Sequence, residues 1–141
     1  MSWDICIQEI PGDIGSLDDI PNDFRPRPLG LRSEVIARIK QTLPQADFSN
    51  PSWGVLDQPG FSIEFSMGSA DVCDGFTLHV RGGGVAVATI ARLLDHLKLR
   101  GIDLQIPDFF SPEAAEASFR DWQAYRDRVI HPESSKNSTD D

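Results

Sequence analysis

Two stretches of this chain alternate apolar and polar side chains without a fault: Phe61-Ser62-Ile63-Glu64-Phe65-Ser66-Met67 and Phe76-Thr77-Leu78-His79-Val80-Arg81. Successive side chains of a strand point to opposite faces, so each stretch predicts a strand with one greasy side and one polar side. The link between them, Gly68 to Gly75, is polar and short enough for an antiparallel hairpin. Clean alternation belongs to antiparallel sheets with one solvated face, whereas doubly wound parallel sheets need strands that are apolar throughout. The fold must therefore cover one face with helices and leave the other in water.

The remaining segments fit that requirement. Trp3 to Glu9 alternates again and predicts a strand with Trp3, Ile5 and Ile7 facing the core, as does Ile102 to Ile106 before Pro107. Trp53-Gly54-Val55-Leu56 reads as a short strand before the Gln58-Pro59-Gly60 turn. A helix is expected over Arg32 to Leu43, with Val35, Ile36, Ile39 and Leu43 on one face, Ser33 as N-cap and Pro44 as the stop. A second is expected over Val85 to Leu97, its stripe formed by Val87, Ile90, Ala91, Leu94 and Leu97, with Gly101 as its C′ residue. Ser111-Pro112-Glu113 is an N-cap followed by Pro at N1, the start of a third helix running to about Ile130. Between Pro11 and Gly30 there is no periodicity; prolines, glycines and aspartates predict a surface meander pinned by Leu17, Ile20, Phe24 and Leu29. A loop that long in a compact domain points to a binding element or a lid.

The order is β–loop–α–(β)–β–β–α–β–α. It predicts an α+β fold, a two-layer α/β sandwich with a mainly antiparallel sheet of four or five strands and two or three helices. One domain over residues 1–131 and a disordered acidic tail over 132–141 are expected from length and composition.

Charge narrows the partners. Thirteen basic against twenty-two acidic side chains give a net −9, which argues against nucleic acid and anionic membrane. No apolar run reaches the length of a membrane span, and Met1-Ser2-Trp3-Asp4 lacks the pattern of a secretion signal. With two cysteines, Cys6 and Cys73, a reduced, cytoplasmic setting is the simpler expectation. His79, His96 and His131 show no metal-ligand spacing, so neither metal nor cofactor is expected.

Three constellations could carry function. The expected strand pairing puts Asp4, Cys6, Gln8, Ser62, Glu64, Ser66, Thr77, His79 and Arg81 on one polar face. There Cys6, Glu64, His79 and Arg81 are candidates for nucleophilic chemistry, the imidazole activating the thiol and a carboxylate fixing its tautomer. The same groups also read as a solvated face with cross-strand Glu64–Arg81 or Glu64–His79 pairs. Arg81-Gly82-Gly83-Gly84 ahead of a helix could hold an anion on free N–H groups, but Val87 breaks the dinucleotide fingerprint and no Lys-Ser/Thr follows. Its other reading is a connection that needs positive φ. In the long loop, Asp18, Asp19 and Asp23 around Phe24 would suit a basic protein partner, with charge steering the encounter and the aromatic anchoring it.

The segments Asp18 to Gly30, Pro51-Ser52-Trp53-Gly54, Gly60-Phe61-Ser62-Ile63-Glu64 and Phe76 to Gly83 together resemble a family of small uncharacterised bacterial proteins, over about residues 2–107. That resemblance implies a bacterial, cytosolic protein and carries no activity, cofactor or catalytic residue with it. The sequence thus predicts a non-catalytic interaction or regulatory module, immunity-type or accessory, that binds a protein through its acidic loop-decorated surface. The alternatives are a small enzyme on the polar sheet face and a small-anion binder at Gly82-Gly83-Gly84. Monomer and homodimer both stay open.

Overall fold

A computed structural model describes residues 3–82, 85–105 and 108–111. The alternating segments become β1 (Trp3–Gln8), β4 (Phe61–Ser66) and β6 (Phe76–Gly82), and Trp53 starts a longer strand than expected, β3 (Trp53–Gln58). With β7 (Arg100–Asp103) and β8 (Asp108–Phe109) they form one sheet in the order β3-β4-β6-β1-β7-β8, every neighbouring pair antiparallel. Register follows the alternation: Ile5 faces Leu78, Phe65 faces Leu78 from the other side, and Ile63 faces Val80. Two short strands, β2 (Gly30–Leu31) and β5 (Val72–Cys73), pair in a separate small sheet. The fold is α+β as expected, but the main sheet has six strands rather than four or five.

Helices α1 (Arg32–Thr42) and α2 (Val85–Leu97) cover the greasy face. Trp3, Ile5, Ile7, Ile63, Phe65, Leu78 and Val80 from the sheet share one core with Val35 and Ile39 of α1 and with Val87, Ile90 and Leu94 of α2. These two are the α-helices among the described residues. The third expected helix, from Pro112 to Ile130, and the tail over 132–141 lie outside them.

Three local expectations about the helices need correction. Helix α1 begins at Arg32 with Leu31 as N-cap and no capping side chain, so Ser33 lies inside it. Strand β2 runs straight into the helix, and the Arg32 amide is met by the Asp71 carbonyl at 2.7 Å. The stripe of α2 is broader than expected, because Ala86, Thr89 and Leu93 are buried while Ala91 is half-buried. Gly101 does not end that helix; Lys98 does, at φ 58. The Leu99 amide returns to the Leu94 carbonyl and the Lys98 amide to the Asp95 carbonyl, which makes Lys98 the left-handed C′ residue of a Schellman turn.

Strand β7 is out of phase with its sequence pattern. Gly101 and Asp103 point inward opposite Ile7 and Ile5, while Ile102 points outward and Leu104 is 54% exposed in the turn that follows. Gly101 brings the backbone against the core, since a Cβ there would sit 3.0 Å from a methyl of Ile5. Asp103 is fully buried, and its Oδ1 accepts from the Trp3 indole N–H and from the Gln105 amide, both at 2.9 Å. These two donors satisfy one oxygen of the inward carboxyl, while Oδ2 is buried without a partner among the described residues. Hydrophobic alternation cannot register an aspartate that serves as a core acceptor.

Candidate functional site

The open sheet face gathers the polar side chains that pairing predicts. Asp4 lies opposite His79, Cys6 opposite Thr77, Ser62 opposite Arg81, and Glu64 opposite His79 on the other side. Strand β3 adds Trp53 and Val55 to this face, opposite Ser66 and Glu64. The Trp53 indole stacks on the His79 ring, with centroids 5.4 Å apart and planes 17° from parallel, and 39% of the tryptophan stays exposed.

The charged groups on this face are already engaged with one another. His79 Nδ1 lies 2.8 Å from Asp4 Oδ1. Glu64 takes the Arg81 guanidinium on one carboxylate oxygen and a long contact from the Trp53 indole N–H, 3.4 Å, on the other. The Arg81 guanidinium holds the Glu64 carboxyl below its ordinary range; partial burial opposes this, and Trp53 and His79 add to it. Cys6 stands apart from the imidazole, in register with Thr77 and with Ile102. Burial pushes its thiol pKa up, against the pull of the Thr77 side chain, so the sulfur is a poorer nucleophile at neutral pH than a free cysteine. The structure therefore joins Glu64 to Arg81 and sets His79 beside Glu64, but His79 is oriented by Asp4 and Cys6 faces Thr77. The second cysteine, Cys73, is likewise pushed up by burial, with its Sγ 3.4 Å from the Gly75 carbonyl.

The loop from Pro11 to Leu29 is fastened at several points. Ser16 caps a single 3-10 turn, Leu17–Asp19, by accepting from the Asp18 amide. Arg100 donates to the Pro11 carbonyl at 3.1 Å and to the Ile14 carbonyl at 2.5 Å, and its guanidinium lies 3.7 Å above the Phe109 ring centroid. Further along, the backbones of Glu9 and Arg27 pair in an isolated antiparallel β-bridge and the Leu29 amide donates to the Cys73 carbonyl. Leu17, Ile20 and Phe24 are half-buried, whereas Asp13, Asp18, Asp19 and Asp23 are exposed. The three ion pairs among the described residues, His79–Asp4, Arg81–Glu64 and Lys98–Asp95, involve none of those aspartates.

The glycine cluster is half legible. Gly82 has φ 107, and a Cβ on it would come within 2.4 Å of the Gly60 carbonyl oxygen and of Phe61 Cα. Close strand approach and backbone conformation together require glycine at that position, with no ligand needed to explain it. Gly83 and Gly84 lie outside the described residues. Among the described residues no group of three or more His, Cys, Asp or Glu side chains could hold a metal ion. No helix among them is long and apolar enough to cross a membrane.

Several contributing residues escape sequence reasoning. Trp53 gives no sign that it would cover an imidazole two strands away, because that contact depends on both the β3–β4 and the β4–β6 register. Arg100 falls between the expected helix and the expected strand, and its reach to carbonyls far away in the sequence has no local signature. Asp4, by contrast, was already legible on the polar face, and only its choice of partner was not.

Comparison with known proteins found no matching family model, no matching curated relative and no matching solved structure.

Proposed function

We propose that this chain is a non-catalytic, cytoplasmic protein-interaction module, immunity-type or accessory, that binds a basic protein partner through the acidic face of its long loop. One observation carries the reading: Asp13, Asp18, Asp19 and Asp23 are held exposed, outside the described ion pairs, on a loop clasped to the body by Arg100. Unpaired like charges on a preorganised loop attract a complementary surface at long range and lose little entropy on docking. The net charge of −9 favours the same kind of partner. The Asp18→Asn/Asp19→Asn/Asp23→Asn variant should release, at moderate salt, proteins that the wild type retains, with its melting temperature unchanged. Retention of the same proteins by that variant refutes the reading.

A second reading rests on the Asp4–His79 contact. A carboxylate on Nδ1 is how a general base is oriented, so the polar face could serve a small enzyme. That reading requires a thiol-specific probe to label Cys6 rapidly in the folded protein at neutral pH. The raised thiol pKa favours the opposite result.

A further inference from the structure

We propose that the cleft at the foot of the long loop is a binding site for a small organic oxyanion, a phosphate or carboxylate carried on an apolar body. The cleft encloses about 400 Å³ and is walled by Ile10, Pro11 and Phe24, with Arg25, Arg27 and Lys98 around it. That volume is in the range of small-molecule sites. Three of the chain's thirteen cations thus meet in one concavity of an acidic protein, against a single lining carboxyl, Glu9. Neither arginine takes part in a described ion pair, and Lys98 reaches Asp95 only at 3.9 Å. Arg25 Nη1 donates to the Phe24 backbone carbonyl at 3.2 Å, which ties that guanidinium to the loop backbone. Planar guanidinium groups match the two oxygens of a carboxylate or phosphate, while Ile10, Pro11 and Phe24 provide the surface for the ligand's body.

The backbone at Lys98 supports the same assignment. Lys98 occupies the left-handed C′ position that usually falls to glycine, with φ 58. Strain kept at a residue whose charged side chain lines a cleft points to a use for that charge. The site is separate from the acidic face proposed for the protein partner, because its cations, not the loop aspartates, do the binding.

Phenyl phosphate, benzoate and inorganic phosphate are the probes, each at about 5 mM in thermal-shift and calorimetric titrations of the full chain. The expected result is a rise in melting temperature with at least one ring-bearing anion, which weakens several-fold as salt is raised. Preference for phenyl phosphate assigns a phosphate head group, and preference for benzoate a carboxylate. The Arg25→Gln/Arg27→Gln variant should lose binding at least tenfold. Lys98→Gly should melt higher than the wild type without ligand, because it relieves the left-handed lysine, yet bind several-fold more weakly. That pairing of higher stability with lower affinity separates loss of the site from loss of the fold. Absence of binding by all three probes, or binding unchanged in both variants, overturns the proposal, and equal binding of inorganic and phenyl phosphate overturns the role of the apolar wall. Asp18→Asn/Asp19→Asn should leave this binding intact, so failure here and failure of the partner reading are distinguishable.

Discussion

The carboxyl of Asp103 gives the sharpest test of how this core is held together. Its Oδ1 accepts two hydrogen bonds, from the Trp3 indole and the Gln105 amide, while its Oδ2 is buried with no hydrogen-bond partner. Truncation in Asp103→Ala removes the acceptor for both donors and leaves a small void. At about 1–1.5 kcal/mol per lost bond plus the cavity, the cost is about 3 kcal/mol. Asp103→Asn keeps an oxygen where both donors converge and places the amide nitrogen where Oδ2 already lacks a partner, so it should cost under about 1 kcal/mol. In urea unfolding, Asp103→Ala should move the midpoint down by about 1–2 M and Asp103→Asn by much less. Trp3→Phe removes the indole donor from the other side, and a double-mutant cycle with Asp103→Ala should return a coupling of about 1–2 kcal/mol. If Asp103→Asn falls as far as Asp103→Ala, or the coupling is under about 0.5 kcal/mol, then the indole–carboxyl bond is not what makes an inward aspartate tolerable here.

Three other substitutions probe different parts of the molecule. Gly82→Ala adds both a left-handed strain and a clash with the Gly60 carbonyl, so it should lose more than about 3 kcal/mol, whereas Gly60→Ala, whose φ is 90 but whose Cβ meets nothing within 4 Å, should lose about 1 kcal/mol in the same urea assay. Because Arg81 lowers the Glu64 carboxyl from its ordinary value of 4.5, the pair stabilises the fold above that pH and the contribution fades as pH falls through the lowered folded value. Arg81→Met should therefore cost under about 1 kcal/mol at pH 7, as suits an exposed pair, and its melting temperature should converge with that of the wild type as pH falls through the lowered folded value. Arg100→Met removes two bonds to loop carbonyls and the contact over Phe109, about 1–2 kcal/mol in all, and hydrogen exchange should show the amides of Ile14 and Asp19 losing protection while those of β4 and β6 do not.

What the sequence makes legible here is what period and punctuation can encode. Residues 61–66 and 76–82 alternate because one face of their hairpin is buried, so a one-residue slip would expose Ile63, Phe65, Leu78 and Val80 together. The polar face comes with that register, which is why Glu64, His79 and Arg81 could be placed together in advance. Strand β7 defeats the same logic, because its inward positions are a glycine chosen for close approach and an aspartate chosen for its acceptor. The end of α2 defeats it too: a glycine three residues downstream fits the C′ pattern, but the left-handed turn falls on Lys98. Strands β2 and β5 are two residues each and pair across a large separation in sequence, so no local period could reveal them. The partner of His79 depends on which carboxylate the twist of the sheet brings nearer, a choice between Asp4 and Glu64 that the register alone leaves open.

Lys98, Leu99 and Arg100 bring these threads together, since each of the three consecutive residues serves a different purpose. Lys98 turns the chain out of α2 and carries a charge to the cleft, Leu99 packs on the core, and Arg100 reaches back to hold the loop. The loop in turn provides Phe24, Arg25 and Arg27 to the same cleft. The clasp at Arg100 thus positions the walls of the oxyanion site as well as the acidic face, so its loss should weaken both activities at once. Lys98→Gly spares the clasp and should weaken only the first. The order of these effects follows from which carbonyls Arg100 holds and which cavity Lys98 lines, without reference to the identity of either ligand.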